Sequence, residues 1–236
     1  MKKFLSVLAF TISCFTVTAQ TAEQIVDKAY TAAGGAANAE KIKTLKLTGS
    51  ISVQGMEFPM TQHLIRGRGV RTEIPVMGSM VQMSYLDGKG WKQNPFEGAP
   101  EPTAMTEAEL KEQQDQTSPV SPLFDGVKKG DKLELLGEET AGAEKLWKIR
   151  STSSTGVSST WFINSSYDIV KVISKREAAG QVQDIETAFS DYRQAEGVRL
   201  PYKLVNSAAG QVFLEINVDK YDFNIPVDEK IFAMPA

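Results

Sequence analysis

The sequence has few of the residues that carry catalytic and metal chemistry. It contains one cysteine, Cys14, and one histidine, His63, in 236 residues. A chain with one cysteine cannot form an internal disulfide, so the fold must be held by its core. It has no motif typical of a nucleophile, a phosphate-binding loop or a metal centre. We therefore expect no enzyme activity and no cofactor.

The N-terminus indicates export. Two lysines precede an apolar run from Phe4 to Phe15 that is too short to span a bilayer. This predicts a signal peptide of residues 1–19, cleaved before Gln20, and hence a secreted protein. The alternative is a lipoprotein signal, in which Cys14 is lipidated and retained.

Neither charge sign dominates the remaining chain. Residues 20–236 contain 24 basic and 29 acidic side chains, a formal charge of −5. This argues against nucleic acid, and against an anionic bilayer surface, as the main partner. Since no repeat or long linker divides the chain, we expect a single domain over residues 20–236, present as a monomer.

The chain after the signal peptide begins with helical patterning. Thr21 and Gln24 have the spacing of a capping box, and apolar residues recur on one helix face as far as Ala33. Gly34 and the glycine after it end this helix. A second short helix is predicted over about residues 36–43.

From Thr44 the period changes from 3.6 to 2. In "TLKLTGSISV" apolar and polar residues alternate, which is typical of a half-buried strand. Similar runs recur to Val218, separated by short turns such as Asp87-Gly88 and Ala179-Gly180. The pattern predicts ten or eleven strands joined mostly as hairpins.

Residues 94–130 interrupt the strands. Thr106 and Glu109 form a second capping-box pattern, and the helix "TEAELKEQQDQ" that follows is polar on nearly every side. Such a helix cannot be a core element. We therefore predict a partly helical, weakly held insertion.

A wide antiparallel sheet with one apolar face must curve or be covered. The predicted fold is mainly β (α+β): an open, strongly curved antiparallel sheet or half-barrel of about 11 strands. The N-terminal helix and the insertion at 94–130 would fill its concave side as a lid or plug. Six of the eight methionines lie between Met56 and Met105. They indicate either plastic core packing or a wall that accepts a flexible apolar guest.

Four segments in order carry a family resemblance: "AEQIVDKAYTAAGG", "DGKGWKQNPFEG", "FSDYRQAEGVRLPYKL" and "NIPVDEKIFAMP". Together they resemble the outer-membrane lipoprotein-sorting family with the LolA/LolB-like fold, in a Bacteroidetes-type branch. The resemblance covers essentially the whole chain after the signal peptide. It implies a periplasmic carrier that holds acyl chains of lipoproteins or other lipids, with an inner-membrane donor and an outer-membrane acceptor.

Together with the alternating pattern, the resemblance implies an apolar cavity. Trp91 and Phe96 would seal its mouth, or would only fasten a loop to the barrel edge. Arg71 is the candidate that ties the lid shut. The expected lipid-binding residues are Leu45, Leu47, Ile51, Phe58, Met60, Leu64, Met80, Val81, Met83, Tyr85, Trp91, Phe96, Met105, Trp147 and Trp161.

His63 falls on the polar side of its strand pattern and is expected to be exposed. Asp184, Glu186 and Asp191 have no partner base and are expected to be solvated.

The alternative function is a sensor or interaction module of the same fold, which recognises lipoproteins or a membrane partner without transporting them.

Overall fold

The computed structural model describes residues 20–178 and 181–235. The predicted signal peptide, Cys14 and the predicted turn at Ala179-Gly180 lie outside these residues. No helix in the described part is long and apolar enough to cross a membrane.

Helix α1 (Ala22–Ala32) forms for the reasons that its sequence indicates. The Thr21 hydroxyl accepts a hydrogen bond from the Gln24 amide, and the Gln24 side chain accepts one from the Thr21 amide. This confirms the capping box. Its buried face includes Ile25 and Ala29, both fully shielded from solvent.

Three further helices follow, α2 (Gly35–Ala39), α3 (Glu107–Asp115) and α4 (Pro122–Lys128). The predicted Thr106 and Glu109 capping box is also present, at the start of α3. Two short 3₁₀ turns lie at Pro95–Glu97 and Glu229–Phe232.

All of the strands described belong to one antiparallel sheet. They are β1 (Thr44–Val53), β2 (Met56–Ile65), β3 (Gly69–Val76), β4 (Ser79–Leu86), β5 (Lys89–Asn94), β6 (Ala99–Ala104), β7 (Lys132–Ala141), β8 (Glu144–Thr152), β9 (Ser158–Asn164), β10 (Ile169–Ala178), β11 (Gln181–Ala195), β12 (Val198–Ala208) and β13 (Gln211–Phe223).

The sheet is an open half-barrel, as the sequence predicts. Its order is β6-β5-β4-β3-β2-β1-β13-β12-β11-β10-β9-β8-β7, so the first and last strands pair at its centre and β6 and β7 are its edges. The chain between these edges, residues 105–131, contains α3 and α4.

There are thirteen strands rather than about eleven, and β6 lies inside the predicted insertion. Its sequence, "APEPTA", has no alternating apolar pattern and contains Pro100 and Pro102. Proline is tolerated there because β6 is an edge strand, with one side free of ladder hydrogen bonds.

Strand register defines two faces. Leu47 pairs with Gln62 and Tyr221, and Ile51 pairs with Phe58 and Ile216, so these side chains share the concave face. The β7–β10 part of this face packs against α1 and α4. The buried residues of that cluster include Ile149, Trp161 and Ile163 from the sheet and Ile25 and Phe124 from the helices.

The two ends of the sheet differ. At the end where β11 turns into β12, α2 packs over the sheet, and Ala39 and Ile42 are buried against Val198 and Leu200. We call this the helical end. Here Gly34 has φ +114°, and a Cβ on it would lie 2.4 Å from the Gly197 carbonyl oxygen, so only glycine fits. The opposite end, where β1, β3, β5, β8, β10 and β12 finish, is the tip end.

Candidate functional site

The candidate site is an apolar trough on the concave face of β1–β4, β12 and β13. Its floor is buried and its upper side chains are partly exposed. The buried residues are Leu47, Ile51, Met60, Ile74 and Val218. The partly exposed ones are Val53, Phe58, Val76, Val81, Tyr202, Leu204, Leu214, Ile216 and Tyr221.

Most of the residues expected to bind lipid share the concave face. Strand register places nine of them there: Leu45, Leu47, Ile51, Phe58, Met60, Leu64, Val81, Met83 and Tyr85. Phe58, Val81 and Met83 are partly exposed and the other six are buried. A ligand in the trough could therefore contact Phe58, Val81 and Met83 directly.

Trp147 and Trp161 lie on the same face but in its other half. Trp161 is buried in the cluster that packs on α1, and Trp147 packs against that cluster. The Trp161 indole donates a 2.8 Å hydrogen bond to the Ser151 hydroxyl. Trp147 stacks on Tyr167 with ring centroids 5.1 Å apart. In this structure the two tryptophans are part of the packed core.

Four expected site residues lie elsewhere. Met80 pairs with Pro75, and Trp91 pairs with Ser84, which places both side chains on the convex face. The reason is the pleat: Met80 and Val81 are adjacent, so only one of them can face the trough. Phe96 is exposed at the tip end, in the turn between β5 and β6.

Arg71 is the fourth of these residues, and the structure corrects its expected contact. It also points to the convex face, where its guanidinium donates to the Ile231 carbonyl, to Glu73 and to Gln82. It therefore contacts the C-terminal segment and not the insertion.

Arg66 makes the contact to the insertion instead. Its guanidinium donates to the carbonyls of Ala39 and Ile42, and it forms a 3.6 Å ion pair with Asp125 of α4. The amide of Gly67 donates to the carbonyl of Thr117. "RGRGVR" alone could not select among three arginines. Arg66 could have been selected from the sequence because it lies at a turn, outside the alternating pattern of the strands.

Helix α3 and the residue before it cover one corner of the concave face. Met105 is buried, and a Cβ on Gly90 would lie 2.6 Å from its sulfur and 2.9 Å from Leu110, so the helix packs directly on the backbone of β5. A cavity of about 210 Å³ remains between α3 and the β4–β5 hairpin, with Tyr85 and Leu110 in its lining.

Charged groups also position α3. Lys92 forms an ion pair with Glu109. Burial alone would raise the pKa of Glu109. The pKa nevertheless lies below its ordinary value, because Lys92 and Thr106 donate hydrogen bonds to the carboxylate. Burial raises the pKa of Glu112, and Glu109 and Asp115 add to this, while Arg176 opposes it.

The convex face has a second cavity, of about 340 Å³, under the C-terminal segment that starts at Asn224. Its lining includes His63, Arg71 and Asp228. The Nδ1 atom of His63 is buried with no hydrogen-bond partner among the described residues, so the prediction that His63 is exposed is wrong. Desolvation lowers its pKa, and Lys46 adds to the effect.

The carboxylates expected to be solvated form surface ion pairs. Asp184 pairs with Lys175, Glu186 with Lys171, and Asp191 with Arg193. Within residues 20–178 and 181–235 no group of three or more histidine, cysteine, aspartate or glutamate residues is arranged to hold a metal ion.

One polar atom in the concave face lacks a partner. The side-chain oxygen of Asn206 is buried and accepts no hydrogen bond from any described residue. Asn206 pairs with Leu214 of the trough and with Thr187. Because this oxygen is shielded from solvent, a ligand could reach it only if the side chains around it moved.

Comparison with known proteins identifies the fold. No family model matches the chain, and no curated protein sequence matches it. A LolA superfamily protein from Nitrosomonas europaea aligns with TM-score 0.57 and 12% identity over 91% of this chain and 98% of that chain. An outer-membrane lipoprotein-sorting protein domain from Vibrio parahaemolyticus gives 0.57 and 12%, over 90% and 95%.

A DUF1329 family protein from Desulfovibrio piger aligns with TM-score 0.58 and 11% identity, over 91% of this chain and 98% of that one. The class that the sheet and its trough define is therefore the LolA-like half-barrel. At these identities the likeness concerns the fold, and at that level the resemblance seen in the sequence is confirmed.

Proposed function

We propose that the protein is a periplasmic carrier that shields acyl chains of lipoproteins, or of another amphiphile, during transfer towards the outer membrane. The observation that carries this proposal is the apolar trough, whose partly exposed side chains lie directly above a buried apolar floor. Its LolA-like fold, shared with a lipoprotein-sorting domain, supports the same function.

Desolvation supplies the binding energy. Each methylene removed from water contributes about 0.8 kcal/mol, so a chain of about 14 to 16 carbons gives on the order of 10 kcal/mol before costs. Ordering the chain and moving the lid oppose this. The net affinity is then moderate, as a carrier that must release its cargo requires.

A movement of α3 would enlarge the site. The cavity of about 210 Å³ beside Leu110 is smaller than the roughly 300–1,000 Å³ of typical ligand sites. Displacing α3 from Gly90 would join this cavity to the trough. The helix suits that movement because Gln113 is its only buried residue.

A matched pair of variants tests the proposal. Leu204 and Val205 are adjacent in β12 and both partly buried, but only Leu204 faces the trough. We expect Leu204→Asp to weaken binding of a fluorescent fatty acid by at least about tenfold, because a carboxylate would contact the chain. Val205→Asp should bind as the parent protein does.

Met83→Asp, on the opposite wall, provides a second trough variant. Equal affinity for Leu204→Asp, Met83→Asp and the parent would refute the assignment of the trough. Native mass spectrometry of protein isolated from its own periplasm addresses the cargo: acyl lipid or lipoprotein should be retained. A folded parent that takes up no acyl probe would instead favour an interaction module.

A further inference from the structure

One basic side chain on the concave face has no counter-charge. Strand register places four basic residues of the described strands on this face: Lys92, Lys145, Arg176 and Arg193. Three of them form ion pairs, which are Lys92–Glu109, Lys145–Glu138 and Arg193–Asp191. Arg176 is partly buried and forms no ion pair with any residue whose side chain the structure describes. A charge that is partly removed from water without a partner costs free energy.

Arg176 lies at the tip end of β10, among other polar side chains. It pairs with Gln183 of β11, and two residues earlier Ser174 pairs with Ser159 of β9. Because side chains alternate along a strand, these four residues share the concave face. Gln183 is exposed and the other three are partly exposed. We call these four residues the polar patch.

The concave face is apolar next to the patch. Val172 of β10 pairs with Trp161 of β9, one step further from the tip end, and both are buried. Ile185 is also buried and pairs with Ala208 of β12, and the next strand contributes Leu214 to the trough. Three strand spacings, about 14 Å, separate β10 from β13. One amphiphile could therefore place its head at the patch and its tail in the trough.

Two carboxylates of α3 lie near Arg176 without forming an ion pair with it. Burial raises the pKa of Glu112 and of Asp115, and the charge of Arg176 lowers both. Lys129 and Asp131 also act on the pKa of Asp115, in opposite directions. The two carboxylates reduce the cost of the guanidinium charge while α3 is in place. Displacing α3 would remove them and leave Arg176 to another anion.

We propose that Arg176 and the polar patch bind an anionic headgroup of the cargo, a carboxylate or a phosphate, while its acyl chain lies in the trough. This inference rests on the proposed carrier function and adds a class of cargo to it. A guanidinium binds either oxyanion through paired, charge-assisted hydrogen bonds, and the Ser174 hydroxyl can donate another. A cationic headgroup fits less well, because Arg176 belongs to the sheet whereas the carboxylates leave with α3.

Two probes with the same acyl chain test the proposal: a fluorescent fatty acid and its uncharged methyl ester. At neutral pH we expect Arg176→Gln to bind the acid at least about tenfold more weakly than the parent does, because the charged hydrogen bonds are lost. Its affinity for the ester should equal that of the parent. Raised salt should weaken binding of the acid to the parent and leave binding of the ester unchanged.

Lys175→Gln is the matched control. It removes the same charge from the adjacent residue of β10, whose side chain lies on the convex face and pairs with Asp184. This variant should bind both probes as the parent does. Arg176→Lys keeps the charge but not the planar guanidinium, and should recover part of the affinity for the acid. A lysophosphatidic acid of the same chain length extends the comparison to phosphate, since the natural headgroup should lose more affinity in Arg176→Gln.

The outcomes separate this inference from the carrier function. Equal affinity of Arg176→Gln and the parent for the acid would overturn the headgroup assignment and leave the carrier function in place. A long-chain alkylamine that binds the parent more tightly than the fatty acid would also overturn it, because Glu112 and Asp115 would then select the headgroup. If the folded parent binds none of these probes, the carrier function fails, and the headgroup assignment fails with it.

Discussion

The indole nitrogen of Trp91 donates a 2.9 Å hydrogen bond to the carbonyl oxygen of Phe232, which lies 141 residues later in the chain. The Ser84 hydroxyl donates to the same oxygen at 3.0 Å. The Arg71 guanidinium lies 5.3 Å from the centroid of the Trp91 ring. These contacts attach the C-terminal segment to the convex face of β3–β5, opposite the trough.

Two donors on one buried carbonyl predict a non-additive pair of substitutions. Ser84→Ala or Trp91→Phe alone should lower the free energy of unfolding by about 0.5–1.5 kcal/mol for the lost hydrogen bond, with some lost ring area added for Trp91→Phe. The double variant should lose more than the sum, because the carbonyl then has no donor and pays about 1–3 kcal/mol of desolvation. Urea unfolding of the four proteins measures the coupling.

Trp161→Phe is the control variant for this double-mutant comparison. It removes an indole hydrogen bond to Ser151 on the concave face, away from Phe232. Combined with Ser84→Ala, its effect should be additive within about 0.5 kcal/mol. Additivity in the Ser84 and Trp91 pair as well would contradict a shared role for the Phe232 carbonyl.

The half-buried imidazole of His63, whose Nδ1 atom is shielded from solvent, predicts acid sensitivity of the C-terminal segment. Desolvation and Lys46 lower the pKa of His63 below the ordinary 6.5, while Glu73 opposes them. The native state therefore binds this proton less readily than the unfolded state. The stabilisation is complete above pH 6.5 and is lost as pH falls through the lower, native pKa.

Amide hydrogen exchange measures this effect. After correction for intrinsic rates, residues 226–232 should exchange several-fold faster at about pH 5.5 than at about pH 7.5. In His63→Gln this difference should disappear, while exchange in α1 stays as in the parent. Since the chain has one histidine, NMR can follow its imidazole directly. A native pKa at or above 6.5 would contradict the argument.

Local patterns in the sequence predicted much of the sheet but not its faces in every strand. Alternation in β1 was sufficient to place Leu45, Leu47 and Ile51 on one face, because a period of 2 fixes them relative to each other. In β4 the run "SMVQMSYL" has apolar residues at both parities. Met80 and Val81 could not both line the trough, and only the pairing with β3 shows which one does.

Contacts distant in sequence account for the other differences. Trp91 faces the convex side because a segment near the C-terminus covers it there, and no local feature of "DGKGWKQNPF" indicates this. Similarly, β6 forms only because β5 offers it an edge, since its own sequence has two prolines. Helices α1 and α3 were predictable to within a few residues because their capping boxes are local, whereas α4, which begins at Pro122, was not predicted.

Glu112 couples the position of helix α3 to pH. Burial raises the pKa of Glu112 above its ordinary 4.5, and Glu109 and Asp115 add to the increase, although Arg176 opposes it. The packed position of α3 therefore binds this proton more readily than the displaced one. Its stabilisation is complete below pH 4.5 and is lost as pH rises through the raised value. Hydrogen exchange in residues 107–117 should accelerate, after intrinsic correction, between about pH 4.5 and pH 7.

Replacing Glu112 with glutamine removes one titrating group and should slow exchange in α3 at about pH 7 and reduce its dependence on this pH range. Burial also raises the pKa of Asp115 in the same helix, so part of the dependence should stay. Uptake of a fluorescent fatty acid should slow in parallel, because displacement of α3 from Gly90 enlarges the site. Glu107→Gln, at an exposed position of the same helix, should leave the pH dependence in place. If Glu112→Gln and the parent show the same pH dependence, or if uptake accelerates when α3 is held more firmly, α3 does not gate the trough.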